Sequence, residues 1–91
     1  MKRIAFVTGA SRGIGKAVAL DLLSKNYLVV VGYHRSKDLA YEIVKLNVNA
    51  TAINIDVSSA DSVINAFNEI ELKLGKVDIL VNNAGISQVK P

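Results

Sequence analysis

Apolar residues along this chain fall into short unbroken runs, which alternate with longer stretches where they recur every three or four positions. The runs suit strands buried on both faces of a parallel sheet, and the longer stretches suit amphipathic helices. Arg3 to Val7 is the first predicted strand. From Gly13 to Lys25, Ile14, Val18 and Leu22 recur beside Ala17, with Lys16, Asp21 and Lys25 turned away, and Asn26 can take the left-handed stop. Leu28 to Tyr33 is β-branched and uncharged, a second buried strand. Ser36 is placed to cap the next helix, whose stripe of Leu39, Ala40, Ile43 and Val44 ends near Asn47. Ala50 to Asp56 alternates more, as an outer strand does. Ser58 is expected to cap a third helix, with Asp61 at its positive end. That helix is predicted to bury Val63, Ile64, Phe67, Ile70 and Leu74 and to stop at Gly75, before a fourth strand from Val77 to Asn82.

The resulting order is β-α-β-α-β-α-β. Such alternation calls for a parallel sheet with right-handed crossovers and helices on both faces, and the nucleotide-binding half-fold arranges its strands 3-2-1-4. The fold class is therefore α/β of the Rossmann type.

The stretch Thr8-Gly9-Ala10-Ser11-Arg12-Gly13-Ile14-Gly15 joins the first strand to the first helix. Glycines permit a tight turn and close approach, and a helix start points unpaired N–H groups into that turn, where a pyrophosphate fits. The spacing G-x-x-x-G-x-G differs from the commoner G-x-G-x-x-G, and by itself it also fits a plain glycine-rich turn.

Composition narrows the picture. With 91 residues, 51% of them hydrophobic, the chain suffices for one small domain and is too short for two. There is no cysteine, which removes disulfides, thiolate metal sites and a thiol nucleophile, and fits a reducing compartment. No signal peptide or membrane span is evident, so a soluble, cytoplasmic protein without a membrane partner is expected. The formal charge is +3, but its lysines and arginines are scattered rather than massed, so no nucleic-acid partner is expected.

Two motifs carry a family resemblance. The glycine stretch resembles the T-G-x-x-x-G-x-G of classical short-chain dehydrogenases/reductases, and Asn82-Asn83-Ala84-Gly85 resembles their N-N-A-G. Asp56-Val57 resembles the family's adenine-contacting pair. All three fall at the C-terminal ends of predicted strands, one edge of one sheet. The wording is closest to the 3-oxoacyl-carrier-protein reductase subgroup.

The resemblance implies a cofactor site. Gly9 allows the turn, Gly13 and Gly15 allow close approach, the N–H groups near Ile14 face the pyrophosphate, and Ser11 adds a hydroxyl. Gly15 can equally serve helix-to-sheet packing, and Ser11 can be a turn residue. Asp56 would accept from the adenine amino group, with Val57 beside the ring; Asn83, Ala84 and Gly85 would line the ribose, and Asn82 would tie strands together. The second strand ends in Tyr33-His34-Arg35-Ser36 without a carboxylate, and Arg12 adds a base in the glycine turn. Two guanidiniums on one phosphate, each charged hydrogen bond worth roughly 1.5 to 3 kcal/mol, predict NADP(H) over NAD(H) by at least about tenfold.

The family's catalytic Ser, Tyr and Lys lie beyond N-N-A-G, so none is expected among these residues. Tyr41 and Lys45 match Y-x-x-x-K only formally, on a helix at the adenine side. The chain is thus expected to be residues 1–91 of an incomplete NAD(P)-binding Rossmann domain. In the complete protein that domain would serve an oxidoreductase moving hydride between nicotinamide and a small-molecule carbonyl or alcohol. The alternative is a catalytically silent nucleotide-binding or assembly module. Ile79, Leu80 and Val81 would form an exposed apolar edge, so a homo-oligomer, or completion by another chain, is expected.

Overall fold

The computed structural model describes residues 2–83. The element order is β1 (Ile4–Thr8), α1 (Gly13–Ser24), β2 (Leu28–Tyr33), α2 (Lys37–Leu46), β3 (Ala50–Asn54), α3 (Ala60–Lys73) and β4 (Ile79–Asn82). The four strands form one sheet in the order β3-β2-β1-β4, with every pairing parallel. Register runs through Phe6, which pairs with Val30 on one side and Leu80 on the other.

Successive residues of β1 and β2 point to opposite faces, and both faces are covered. Val7, Val29, Val31 and Tyr33 pack under Ala19 of α1 and Ala40 and Ile43 of α2. Ile4, Phe6, Val30 and Ile53 pack under Ala66 and Ile70 of α3. Phe6 also meets Phe67 edge to face, with ring centroids 5.4 Å apart. Hence β1 is buried along its whole length, as its unbroken apolar run requires.

Several expectations are corrected. Ile14 is 72% exposed, because the first turn of α1 meets the sheet through buried Gly15 and the helix then buries Ala19. Ile64 is likewise exposed, while Ala66 and Ile70 are the fully buried residues of α3. The cap of α3 is Ser59, whose hydroxyl accepts from the Ser62 N–H at 3.2 Å; Ser58 lies outside the helix. Ser36 stands at the N-cap of α2 but its side chain does not cap it. The third strand ends at Asn54, leaving Asp56 in the turn that follows. On β4, Leu80 is 51% exposed, whereas Ile79 and Val81 are half-buried.

The stops are as expected. Asn26 takes the left-handed conformation at φ 71° after α1, and Gly75 has φ 127° after α3. At the start of β4 the Asp78 carboxylate accepts from the Ile4 N–H at 2.8 Å, fastening β4 to the beginning of β1. Near the other end the Thr8 hydroxyl donates to the Asn82 side-chain oxygen at 3.1 Å, the strand tie expected of Asn82.

Candidate cofactor site

Parallel strands deliver all their C-terminal ends to one rim, where the connecting turns leave a crevice. Here that crevice is a cleft of about 800 Å³. Its walls are Gly9 and Ser11 to Ile14 from the first turn, Tyr33 to Ser36 from the second, Ile55 to Ser58 from the third, and Asn83 after β4. Arg12, Asp56 and Asn83 thus share one hollow although they come from three separate turns. A smaller hollow of about 280 Å³ lies at the opposite rim among Lys2, Arg3, Lys25, Asn26 and Tyr27, away from all of these residues.

The glycine turn has distinct parts. Gly9 and Gly13 both take φ 63°, a left-handed conformation that favours glycine. A Cβ at Gly13 would meet nothing within 4 Å, so the backbone there opens on the cleft. Gly15 is different: a Cβ would collide with the Gly9 carbonyl oxygen and come within 2.7 Å of the Asn83 amide nitrogen. Gly15 does not line the cleft; it lets α1 close against the turn. The Ala10 N–H, meanwhile, donates to the Gly32 carbonyl at 3.0 Å, fixing the turn against β2.

Arg12 occupies the N-cap position of α1 with extended backbone, its side chain makes no capping bond, and the first turn of the helix holds no acidic residue. The N-terminal N–H groups of α1 therefore keep their positive end uncompensated by side chains. The Arg12 guanidinium, on the wall of the cleft, instead donates to the Ser36 hydroxyl at 2.9 Å. Ser36 itself does not cap α2, its backbone at φ −94° and ψ 58° lying outside the extended region of a capping residue. Arg35 and His34 are exposed at the same rim.

Asp56 is held from below. One carboxylate oxygen, Oδ1, accepts from the Ser58 hydroxyl at 2.6 Å and the Ser58 N–H at 3.0 Å. The main-chain N–H of Asp56 donates to the Ser62 hydroxyl at 2.8 Å. The other oxygen, Oδ2, stands 3.7 Å from His34 Nε2. The hydroxyl bond from Ser58, then its N–H bond, hold the Asp56 carboxyl below the usual carboxylate range, and the charges of His34 and Arg35 add to this.

Of the residues expected from the sequence, Gly9, Ser11, Arg12, Gly13, Ile14, His34, Arg35, Asp56, Val57 and Asn83 all line the cleft. Ala84 and Gly85 lie outside the described residues. Sequence reasoning missed Tyr33, Ser36, Ile55 and Ser58 as parts of its wall. Tyr33 could have been found from its place as the last residue of a strand, whereas Ser36 and Ser58 looked like helix caps. Tyr41 is not in the cleft; it packs edge to face on Tyr33, with ring centroids 6.2 Å apart.

Residues 3–91 match the family described as short chain dehydrogenase. A 3-oxoacyl-[acyl-carrier-protein] reductase FabG of Staphylococcus epidermidis is 44% identical, the match covering 97% of this chain and 38% of that protein. Among solved structures, a Brucella melitensis protein described as ribose-5-phosphate isomerase superposes with a TM-score of 0.82 at 34% identity, over 89% of this chain and 31% of that one. YwfH, described as an NADPH dependent reductase involved in bacilysin biosynthesis, superposes with a TM-score of 0.79 at 32% identity, over 91% of this chain and 37% of that one. The chain thus spans less than two-fifths of the length of these relatives. With the matched residues running through all three turns of the cleft, the chain belongs to the short-chain dehydrogenase family.

Proposed function

We infer that these residues form the NADP(H)-binding part of a carbonyl reductase. The observation that carries this reading is the convergence of Arg12, Arg35, Ser36 and the uncapped start of α1 on the cleft that also holds Asp56. The residues present fit such a cofactor. Gly13 leaves open space beside the helix start, where backbone N–H groups would meet the pyrophosphate. No carboxylate stands at the end of β2 to pair with free ribose hydroxyls or repel a 2′-phosphate. Asp56 Oδ2 would accept from the adenine amino group, with Val57 against the ring, and Asn83, Ala84 and Gly85 would border the ribose.

When bound, the nicotinamide supplies hydride chemistry toward a carbonyl carbon. The residues of this chain bind and orient the nucleotide: Arg12 and Arg35 neutralise the 2′-phosphate, and α1 directs N–H groups at the pyrophosphate. The name of the staphylococcal relative supports a 3-oxoacyl thioester as the carbonyl substrate of the complete protein. The family membership and the description of YwfH support a nicotinamide cofactor.

Calorimetric titration with NADPH and NADH tests the reading. NADPH is expected to bind at least about tenfold more tightly, and equal affinities, or no binding by either, would overturn it. A second reading, a module that binds nucleotide without turnover, draws on the two tyrosines in a Y-x-x-x-K spacing: Tyr41 lies outside the cleft, and Tyr33, although on its wall, is buried, with its Lys37 over the Tyr41 ring instead. A cofactor-induced rise in melting temperature without NADPH oxidation by these 91 residues would support it.

A further inference from the structure

The two oxygens of the Asp56 carboxylate are used unequally. Oδ1 takes both bonds from Ser58, one from the hydroxyl and one from the main chain, whereas Oδ2 faces His34 at 3.7 Å on the wall of the cleft. The backbone of Asp56 is fastened as well, through its N–H to the Ser62 hydroxyl, and the Ser62 N–H in turn donates to the Ser59 side chain. Ser58 therefore fixes the half-buried carboxylate and Ser62 its main chain, in a chain region where the N-cap serine, Ser59, would by itself start the helix. A carboxylate on a loop ordinarily rotates about two side-chain torsions, and a bond to one oxygen removes that freedom while leaving the second oxygen available.

We propose that Ser58 is a positioning residue for adenine recognition, which holds the Asp56 carboxylate turned so that Oδ2 alone meets the base. The proposal rests on the reading that Asp56 accepts from the adenine amino group, and it adds Ser58 as the group that makes this acceptor selective. A hydroxyl donating to Oδ1 favours the charged form and moves the Asp56 pKa down from its ordinary 3.8. The other titratable groups facing the carboxylate are His34 and Arg35, both from the turn after β2. They favour the same ionised form, and neither donates a hydrogen bond to Oδ1, which Ser58 alone holds. An ionised acceptor prefers a purine bearing an amino group and disfavours one presenting a carbonyl oxygen at that position.

The test compares the affinity of the intact protein for NADPH with its affinity for the analogue whose adenine is replaced by hypoxanthine, in wild type, Ser58→Ala, Ser58→Thr and Asp56→Asn. Wild type is expected to prefer NADPH. Ser58→Ala is expected to lower that preference by about fivefold, the loss of one ordinary hydrogen bond, and Ser58→Thr to retain it. The carboxyl carbon of Asp56, followed by NMR against pH, is expected to titrate at higher pH in Ser58→Ala than in wild type, a change that a merely structural role would not produce. Ser58 is exposed, so its removal leaves no cavity, and a thermal melt of each variant verifies folding.

An unchanged preference in Ser58→Ala, an equal loss in Ser58→Thr, or a lost preference with no movement of the Asp56 titration would each overturn the proposal. If Asp56→Asn also keeps the wild-type preference, the adenine reading of Asp56 itself fails. If Asp56→Asn loses it and Ser58→Ala does not, only the role of Ser58 fails.

Discussion

The side-chain amide of Asn83 donates to the main-chain carbonyl of Gly9 at 3.2 Å, joining the end of β4 to the turn after β1. Gly15 lies against the same pair, and a methyl group there would meet the Gly9 carbonyl carbon at 2.8 Å as well as the Asn83 amide at 2.7 Å. Backbone cannot step aside as a flexible side chain can. Gly15→Ala is therefore expected to destabilise the protein by about 1–3 kcal/mol through overpacking, seen as a lower denaturation midpoint.

Gly13→Ala separates conformation from contact. Its φ of 63° costs a non-glycine residue roughly 1–2 kcal/mol, yet its Cβ would meet no atom of the protein. Melting is expected to fall modestly while NADPH affinity falls far more, because the methyl group occupies space on the cleft side. Calorimetry and thermal unfolding of the same preparation check this, and parallel small losses in both would count against the placement of the pyrophosphate.

Gly32 is a packing glycine inside β2. A Cβ there would approach Phe6 Cε1 at 2.9 Å, the Val7 carbonyl at 3.0 Å and the Thr8 Cα at 3.2 Å. Two of these three are backbone atoms of the central strand, so Gly32→Ala is expected to cost about 1–3 kcal/mol by chemical denaturation. Unchanged stability would mean that β1 and β2 can separate at this level.

Replacing Arg12 and Arg35 by Ala is expected to weaken NADPH binding much more than NADH binding, since only the former carries the 2′-phosphate. With charged hydrogen bonds of about 1.5–3 kcal/mol each, the preference should fall by at least about tenfold. Equal losses for both cofactors would remove the phosphate argument. Ser36→Ala is expected to give a smaller loss of the same sign, because it releases the guanidinium from its 2.9 Å anchor without removing the charge.

Asp56 adds a pH dependence whose sign is determined. Its folded-state proton affinity lies below the ordinary value of 3.8, first through the Ser58 hydroxyl and then through the Ser58 N–H. The stabilisation is therefore fully present above that ordinary value and is lost as pH falls through the lower folded value. The difference in melting temperature between wild type and Asp56→Asn is expected to shrink on acidification from about pH 6 to about pH 2. A constant difference would show that the carboxylate charge is not what the two serine bonds recognise.

Elements and order were legible in the chain because both depend on local rules. A run such as Ile4 to Val7 has no polar position to give to solvent, so it must be sandwiched, and sandwiched strands joined by helices must be parallel. Parallel strands bring their following turns to one rim, which is why Arg12, His34, Arg35, Asp56 and Asn83 could be grouped before any contact was known. Helix faces were less legible. Ile14 fits the apolar stripe of α1, yet Gly15, buried against the Gly9 carbonyl, takes the inward place in the first turn and leaves Ile14 at 72% exposure.

What the amino-acid order determined alone was the alternation of strand and helix, the parallel sheet, and hence the edge at which chemistry must collect. Tertiary structure alone decided how the polar side chains that reach across that edge are spent: the Arg12 guanidinium on Ser36, and the Asn83 amide on Gly9. The physical reason is range. Periodicity reports burial over a few neighbouring residues, whereas a hydrogen bond between positions 24 or 74 apart exists only once the sheet has brought their turns together.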